Sequence, residues 1–174
     1  MRITLLLVAA CGGAPATPDR PAVIGTAGGM MDGTGLYQSC DAPLELRFPP
    51  GSKLTLGVEN GKSALGGGAD KLVALALYWQ TEKPQTPATL DALMIEFLDA
   101  GTFTHPDIGD RVVDGAALAR GTHANVATGR GAMTVASQPP WLISVLVIAQ
   151  TDSPRVAEVD AMMASLRLAV GHCD

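Results

Sequence analysis

Aromatic residues are scarce, making up 4% of the 174 residues, so the core must be built largely from aliphatic side chains. Positive charge is also short. Twelve Lys and Arg stand against 17 Asp and Glu, a formal charge of -5, which argues against a nucleic-acid binder. Long apolar runs are missing: none reaches the roughly 18 residues of a spanning helix, which excludes a multi-spanning helical protein. The mean hydropathy of +0.24 comes from Gly, Ala and Val rather than from such runs. Cysteine is limited to three residues with no C-x-x-C spacing, so neither a dense disulfide framework nor a thiolate metal site is expected. No Gly-x-Ser-x-Gly elbow occurs, and nothing marks the three His as members of a triad. What remains is a chain of one-domain length, large enough to bury a core without a metal or a disulfide staple.

The N-terminus has one positive residue, Arg2, then the uncharged stretch Ile3–Ala10, then Cys11. This is a secretory-signal layout, with an apolar segment at the short end of the usual range. Leu7-Val8-Ala9-Ala10-Cys11 resembles a bacterial lipobox. Small residues before the cut admit the signal peptidase, and the thiol accepts diacylglycerol. The resemblance implies residues 1–10 as a lipoprotein signal peptide, Cys11 as the lipid attachment and a membrane partner reached through that lipid. The absence of Asp after Cys11 favours an outer-membrane destination over an inner one. The competing reading is a buried first strand with an incidental cysteine, opposed by Gly12-Gly13-Ala14-Pro15. Cleavage removes Arg2 and no acid, so the formal charge moves from -5 to -6.

Residues 11–38 are rich in Gly, Ala, Pro and Thr and lack a period of 2 or 3.6, so they read as a flexible tether. Residues 39–174 form the domain. Cys40 and Cys173 lie at its two ends, and an oxidising compartment would pair them. The alternative is two free buried thiols.

Within the domain, Leu44–Phe48 and Leu54–Val58 alternate as strands, and Ala64–Asp70 reads as a glycine-rich loop centred on Gly66-Gly67-Gly68. Leu72–Trp79 is nearly all apolar and suits a central strand covered on both faces. Thr86-Pro87 is a cap and first-turn signal, followed by Leu90, Leu93, Met94, Phe97 and Leu98 on one helical face and Gly101 as the stop. Asp114-Gly115 and Pro139-Pro140 read as hairpin turns, and Trp141–Ile148 as a core strand. Ser153-Pro154 repeats the cap signal before a second amphipathic helix carrying Val156, Val159, Met163 and Leu166. The order gives an α+β fold: one antiparallel β-sheet with a helix on each face.

The helix ending Met163–Leu168, the strand end Phe48-Pro49-Pro50-Gly51 and Val113-Asp114-Gly115 followed by Ala119-Arg120 resemble the PsbP/Mog1-like α/β/α sandwich over about residues 40–170. Bacterial members are often lipoproteins. The resemblance implies a mostly non-enzymatic role in binding or assembly and carries over no functional residue.

Candidate chemistry is thin. Gly57–Ser63 ends in Gly-Lys-Ser but has three residues between its glycines where a phosphate loop needs four; Asn60-Gly61 is more simply a hairpin turn. His105, Asp107 and Asp110 could hold a metal ion, or form a polar loop with Pro106 and Gly109 as turn formers. Trp79 and Trp141 could mark a binding face or fill the core. Asp91, Glu96 and Asp99 read as a solvated helix face. The reading is a lipid-anchored, non-catalytic envelope domain for an unidentified protein or small ligand, with no cofactor, no metal and no nucleic acid. The runner-up is a metal-assisted envelope hydrolase using His105, Asp107 and Asp110.

Overall fold

The computed structural model describes residues 22–23, 29–59, 61–101, 103–104 and 107–169. In chain order they form β1 (Ala22–Val23), β2 (Gly29–Met31), β3 (Leu36–Ser39), β4 (Glu45–Arg47), β5 (Lys53–Glu59), β6 (Lys62–Ala69) and β7 (Leu72–Gln80). Then follow α1 (Pro87–Ala100), β8 (Gly109–Asp110), β9 (Leu118–His123), β10 (Gly129–Gln138), β11 (Trp141–Gln150) and α2 (Glu158–Ala164). Two antiparallel sheets result, a small one ordered β1-β2-β3-β4 and a seven-stranded one ordered β5-β6-β7-β11-β10-β9-β8.

The period of two divides the large sheet into two buried faces. Even-numbered residues of β7 and odd-numbered residues of β11 (Leu72, Ala74, Ala76 and Tyr78; Ile143, Val145, Val147 and Ala149) pack with Tyr37, Leu44, Leu46 and Phe48 of the small-sheet region and with Val159 and Met162 of α2. The opposite face buries Met133, Val135, Leu142 and Leu146 against Leu90, Met94 and Leu98 of α1. A helix thus lies on each face, as the sequence pattern predicts, with the small sheet as an added layer beside α2.

The start of α1 follows its sequence signal. Thr86 Oγ1 accepts from the Thr89 N–H, Thr89 Oγ1 accepts from the Thr86 N–H, and Pro87 occupies the first turn, where no N–H is needed. Gly101 closes the helix by donating to carbonyls of the last turn. The β5–β6 hairpin turns between Glu59 and Lys62 with Gly61 at φ 75°, so the Gly57–Ser63 segment is a hairpin and not a phosphate loop. Asp114-Gly115 turns the chain, with Ala116 N–H donating to the Val113 carbonyl and Gly115 at φ 79°, but not as the expected hairpin: Arg111–Val113 is no strand, because β9 pairs with β8 at Gly109–Asp110 and Asp114 bridges to Arg167 instead.

Four more sequence expectations change. Gly66-Gly67-Gly68 lies inside β6, paired on both sides, because flanking strands fix a backbone that its own side chains cannot. β7 is not covered on both faces: Val73 is 53% exposed. α2 begins at Glu158 and not at Ser153-Pro154, because Ser153 Oγ donates to the Asp70 carbonyl at 2.6 Å and accepts from the Arg155 N–H at 3.1 Å, closing a turn. Regular structure also reaches into the 11–38 stretch read as tether. The turn joining β2 and β3 is organised by Asp32, whose carboxylate accepts from the backbone N–H groups of Thr34 and Leu36. Tyr37 follows it into the core at 0% exposure.

Candidate binding surface

The helix layer ends before the sheet does. α1 lies over β9 and β10, and its apolar cluster reaches Trp79 of β7 and Ile148 of β11 at its margin. Beyond that margin the register aligns Leu77 with Ala64 and Gly57, Leu75 with Gly66 and Thr55, and Val73 with Gly68 and Lys53. Thr55 and Gly57 are exposed, and Leu75, Leu77, Ala64 and Gly66 are half-buried. A Cβ built on Gly57 or Gly66 would meet nothing within 4 Å. The result is a flat strip of small and aliphatic residues, open on the side that α1 leaves bare.

Trp79 and Lys62 border this strip. The Lys62 ammonium sits 4.1 Å from the centre of the Trp79 ring, a cation–π contact across neighbouring strands. Trp141 lies elsewhere. It pairs with Gln80, one position on from Trp79, and packs on the α2 face. One residue of offset sends side chains to opposite faces, so Trp79 and Trp141 do not share a binding face.

The acidic loop is also rearranged. Asp110 accepts from Arg120 Nη1 at 2.6 Å, which commits its carboxylate to an ion pair. Arg120 donates as well to both oxygens of Asp91, at 2.7 and 3.0 Å, and to the Ile108 carbonyl at 3.3 Å. These partners, Asp91 first and Asp110 second, raise the Arg120 pKa further. Asp91 is therefore no simple solvated residue; it ties α1 to β9. Asp107 is exposed, and His105 lies outside the described residues. Among the described residues no group of three His, Cys, Asp or Glu could hold a metal ion. Nothing among the described residues supports the metal-assisted hydrolase reading.

A second arginine cluster was not legible in the sequence. Arg155 donates to Asp70 at 2.8 Å, to Glu158 at 3.0 Å and to the Pro50 carbonyl at 3.1 Å, joining the β6–β7 turn to α2 and the loop before β5. Asp70 and Glu158 hold its pKa above the ordinary arginine value. Both clusters tie separate elements together. An open depression of about 180 Å³ lies near the second, lined by Arg47, Phe48, Pro49, Pro50, Ala161 and Met162. A wider one of about 400 Å³ follows the loop from Asp110 to Ala119. In the core, the hydroxyls of Tyr37 and Tyr78 are buried without a hydrogen-bond partner among the described residues, and burial raises the Tyr37 pKa. Cys11, Cys173 and His172 lie outside the described residues; Cys40 lies between β3 and β4. No helix among the described residues is long and apolar enough to cross a membrane.

No protein-family model matches the chain, and no curated protein matches it. Among solved structures it is similar to cyanobacterial PsbP (CyanoP) from Synechocystis sp. PCC 6803, with a TM-score of 0.59 and 13% identity over 92% of this chain and 98% of that chain. At this identity the likeness is one of architecture, and the chain has a PsbP-like α+β fold.

Proposed function

We propose that this chain is a lipid-anchored, non-catalytic binding domain of the bacterial envelope, and that its ligand is a protein docked on the open strip of β5, β6 and β7. The observation carrying this reading is the sheet face beside Trp79, where Gly57, Gly66, Leu75, Leu77 and Val73 form a flat surface that α1 does not cover. A small molecule calls for a concave, enclosed site. A flat apolar strip suits a partner's surface, with Trp79 and Lys62 at its border. The lipobox-like Leu7–Cys11 segment supports attachment through Cys11 to a membrane facing the periplasm or exterior, with the outer membrane favoured by the missing Asp after the cysteine. A disulfide between Cys40 and Cys173 belongs to the same reading, since the oxidising compartment to which the lipobox-like segment points would pair them.

The test is site-specific photocrosslinking from position 73 of the full chain in its native host. A single protein adduct is expected, and Gly66→Arg should abolish it while leaving the thermal melt unchanged. No adduct, or an adduct indifferent to Gly66→Arg, overturns the binding face. Cys11→Ser should move the chain from the membrane to the soluble fraction; a soluble wild-type chain overturns the anchor.

A further inference from the structure

The core that joins the two sheets is apolar apart from hydroxyl groups. No charged side chain is buried among the described residues, and the small polar ones that are buried are all serines and threonines. Two tyrosines add a larger polar element. Tyr37 comes from β3 of the small sheet and is 0% exposed, and Tyr78 comes from β7 of the large sheet and is 1% exposed. Both belong to the cluster on the α2 face, where Phe48 stands edge-on to Tyr37 with ring centres 6.5 Å apart.

Each tyrosine hydroxyl is sealed from solvent and hydrogen-bonded to no protein group among the described residues. Native cores rarely leave two such groups side by side. Ser39 shares the buried face of β3 with Tyr37, two residues on. Its Oγ accepts from the Asp41 and Ala42 N–H groups at 3.3 and 3.2 Å, and its own proton has no acceptor among the described residues. Burial raises the Tyr37 pKa most, the nearby Tyr78 hydroxyl adds to the rise, and the Ser39 hydroxyl opposes it. Three hydroxyls thus converge without a hydrogen bond to join the two tyrosines. Gly29 of β2 lets the Tyr37 hydroxyl reach this place, since a Cβ there would lie 2.2 Å from its oxygen.

We propose that the Tyr37 and Tyr78 hydroxyls form a binding site for one internal water molecule, with the Ser39 hydroxyl as its third partner. The chemistry of the site selects water. Its hydroxyls are closed off from solvent, so a larger solute has no way to reach them. No charged side chain is buried beside them, so an ion would stand there unpaired. One water offers two protons and two acceptor directions, enough for three hydroxyls, and about three hydrogen bonds is the usual number for a buried water.

The role of the water follows from where the tyrosines stand. Apolar contact between the sheets has no preferred direction. A water bonded to one hydroxyl from each sheet fixes how β3 sits over β7, and so gives the small sheet one seat on the large one.

The experiment is a crystal structure of the full chain carrying Cys11→Ser, at a resolution that shows ordered water, together with thermal melts of the same protein and its tyrosine variants. One water is expected within about 2.5–3.0 Å of both tyrosine oxygens. It should be lost from the Tyr37→Phe/Tyr78→Phe double variant. In the melts, Tyr37→Phe and Tyr78→Phe should each lower Tm by about 2–4 °C, because each leaves the remaining partners of the water short of a hydrogen bond. The double variant should lose less than the sum of the two, since both tyrosines act through one molecule. Were there no water, the sign would change: deleting a hydroxyl that has no partner leaves Tm unmoved or raises it. An unmoved or raised Tm, a site without water in the crystal, a direct bond between the two hydroxyls in its place, or strictly additive losses would each overturn the proposal. None of these results depends on what occupies the open strip.

Discussion

Arg120 holds Asp91 through two parallel hydrogen bonds of 2.7 and 3.0 Å, the arginine from β9 and the aspartate from α1. A forked contact of this kind fixes direction as well as distance. It sets where α1 lies over the sheet, and hence where the open strip begins. The Arg120 side chain is 15% exposed and that of Asp91 28%, whereas Asp110, its other partner, is 88% exposed. Asp91→Ala should therefore lower Tm by a few degrees and Asp110→Ala by much less, because water screens the second pair. In a double-mutant cycle, Arg120→Met combined with Asp91→Ala should cost less than the sum of the single changes. Simple additivity would mean that the two side chains do not stabilise each other.

The glycines of β6 should separate by position. A Cβ at Gly66 meets open space, so Gly66→Ala should fall within about 0.5 kcal/mol of wild type in urea unfolding, on either side of zero. A Cβ at Gly68 would lie 2.0 Å from the Leu72 carbonyl oxygen, which is fixed in the β6–β7 hairpin. Gly68→Ala should cost about 1–3 kcal/mol. Equal effects at the two sites would contradict the register of β6 with β7.

These glycines also mark where sequence reasoning ends. α1 was legible because its signals are local: Thr86-Pro87 starts it, and Leu90, Met94 and Leu98 recur on one face, each at 0% exposure. The α+β class followed from the same local patterns. β6 was not legible, because three consecutive glycines carry no strand signal of their own and are held by neighbours on either side. The tryptophans misled for a related reason. Each sits at a strand end, but only the pairing of Trp141 with Gln80 reveals that Trp79 faces the other way. Arg120 and Asp91 are 29 residues apart, and no local pattern links them. The open strip was hidden too, because a run such as Leu72–Trp79 reads as buried whether or not a helix covers it.

Acid should act through the β2–β3 turn. The Thr34 hydroxyl, and after it the backbone N–H groups of Leu36 and Thr34, hold the Asp32 carboxyl below its usual 3.8. The folded state thus binds this proton less readily than the unfolded one. Its contribution is complete above the unfolded value and disappears as pH falls through the lower folded value. Asp32→Ala should be less stable by about 0.5–1 kcal/mol at pH 7, a small effect because the turn is exposed. The deficit should close toward about pH 2. Urea unfolding of both proteins at the two pH values reads this directly, and a gap that persists in acid would remove Asp32 as its source.

The proposed Cys40–Cys173 bond encloses more than a hundred residues, so it closes the domain's two ends on each other. In the chain-entropy account a loop of that size stabilises by about 4–5 kcal/mol, as an upper figure, mainly by restricting the unfolded chain. Cys40→Ala and Cys173→Ala should then destabilise alike. The double variant should be no worse than either single one, because the second change removes a thiol already without its mate. Dithiothreitol should lower the wild-type Tm and leave the double variant unmoved. Peptide mapping without reductant gives the decisive reading. A linked Cys40–Cys173 peptide is expected, and a link from Cys40 to another cysteine, or two free thiols in the processed chain, would refute the pairing and with it the account of how the domain's ends are joined.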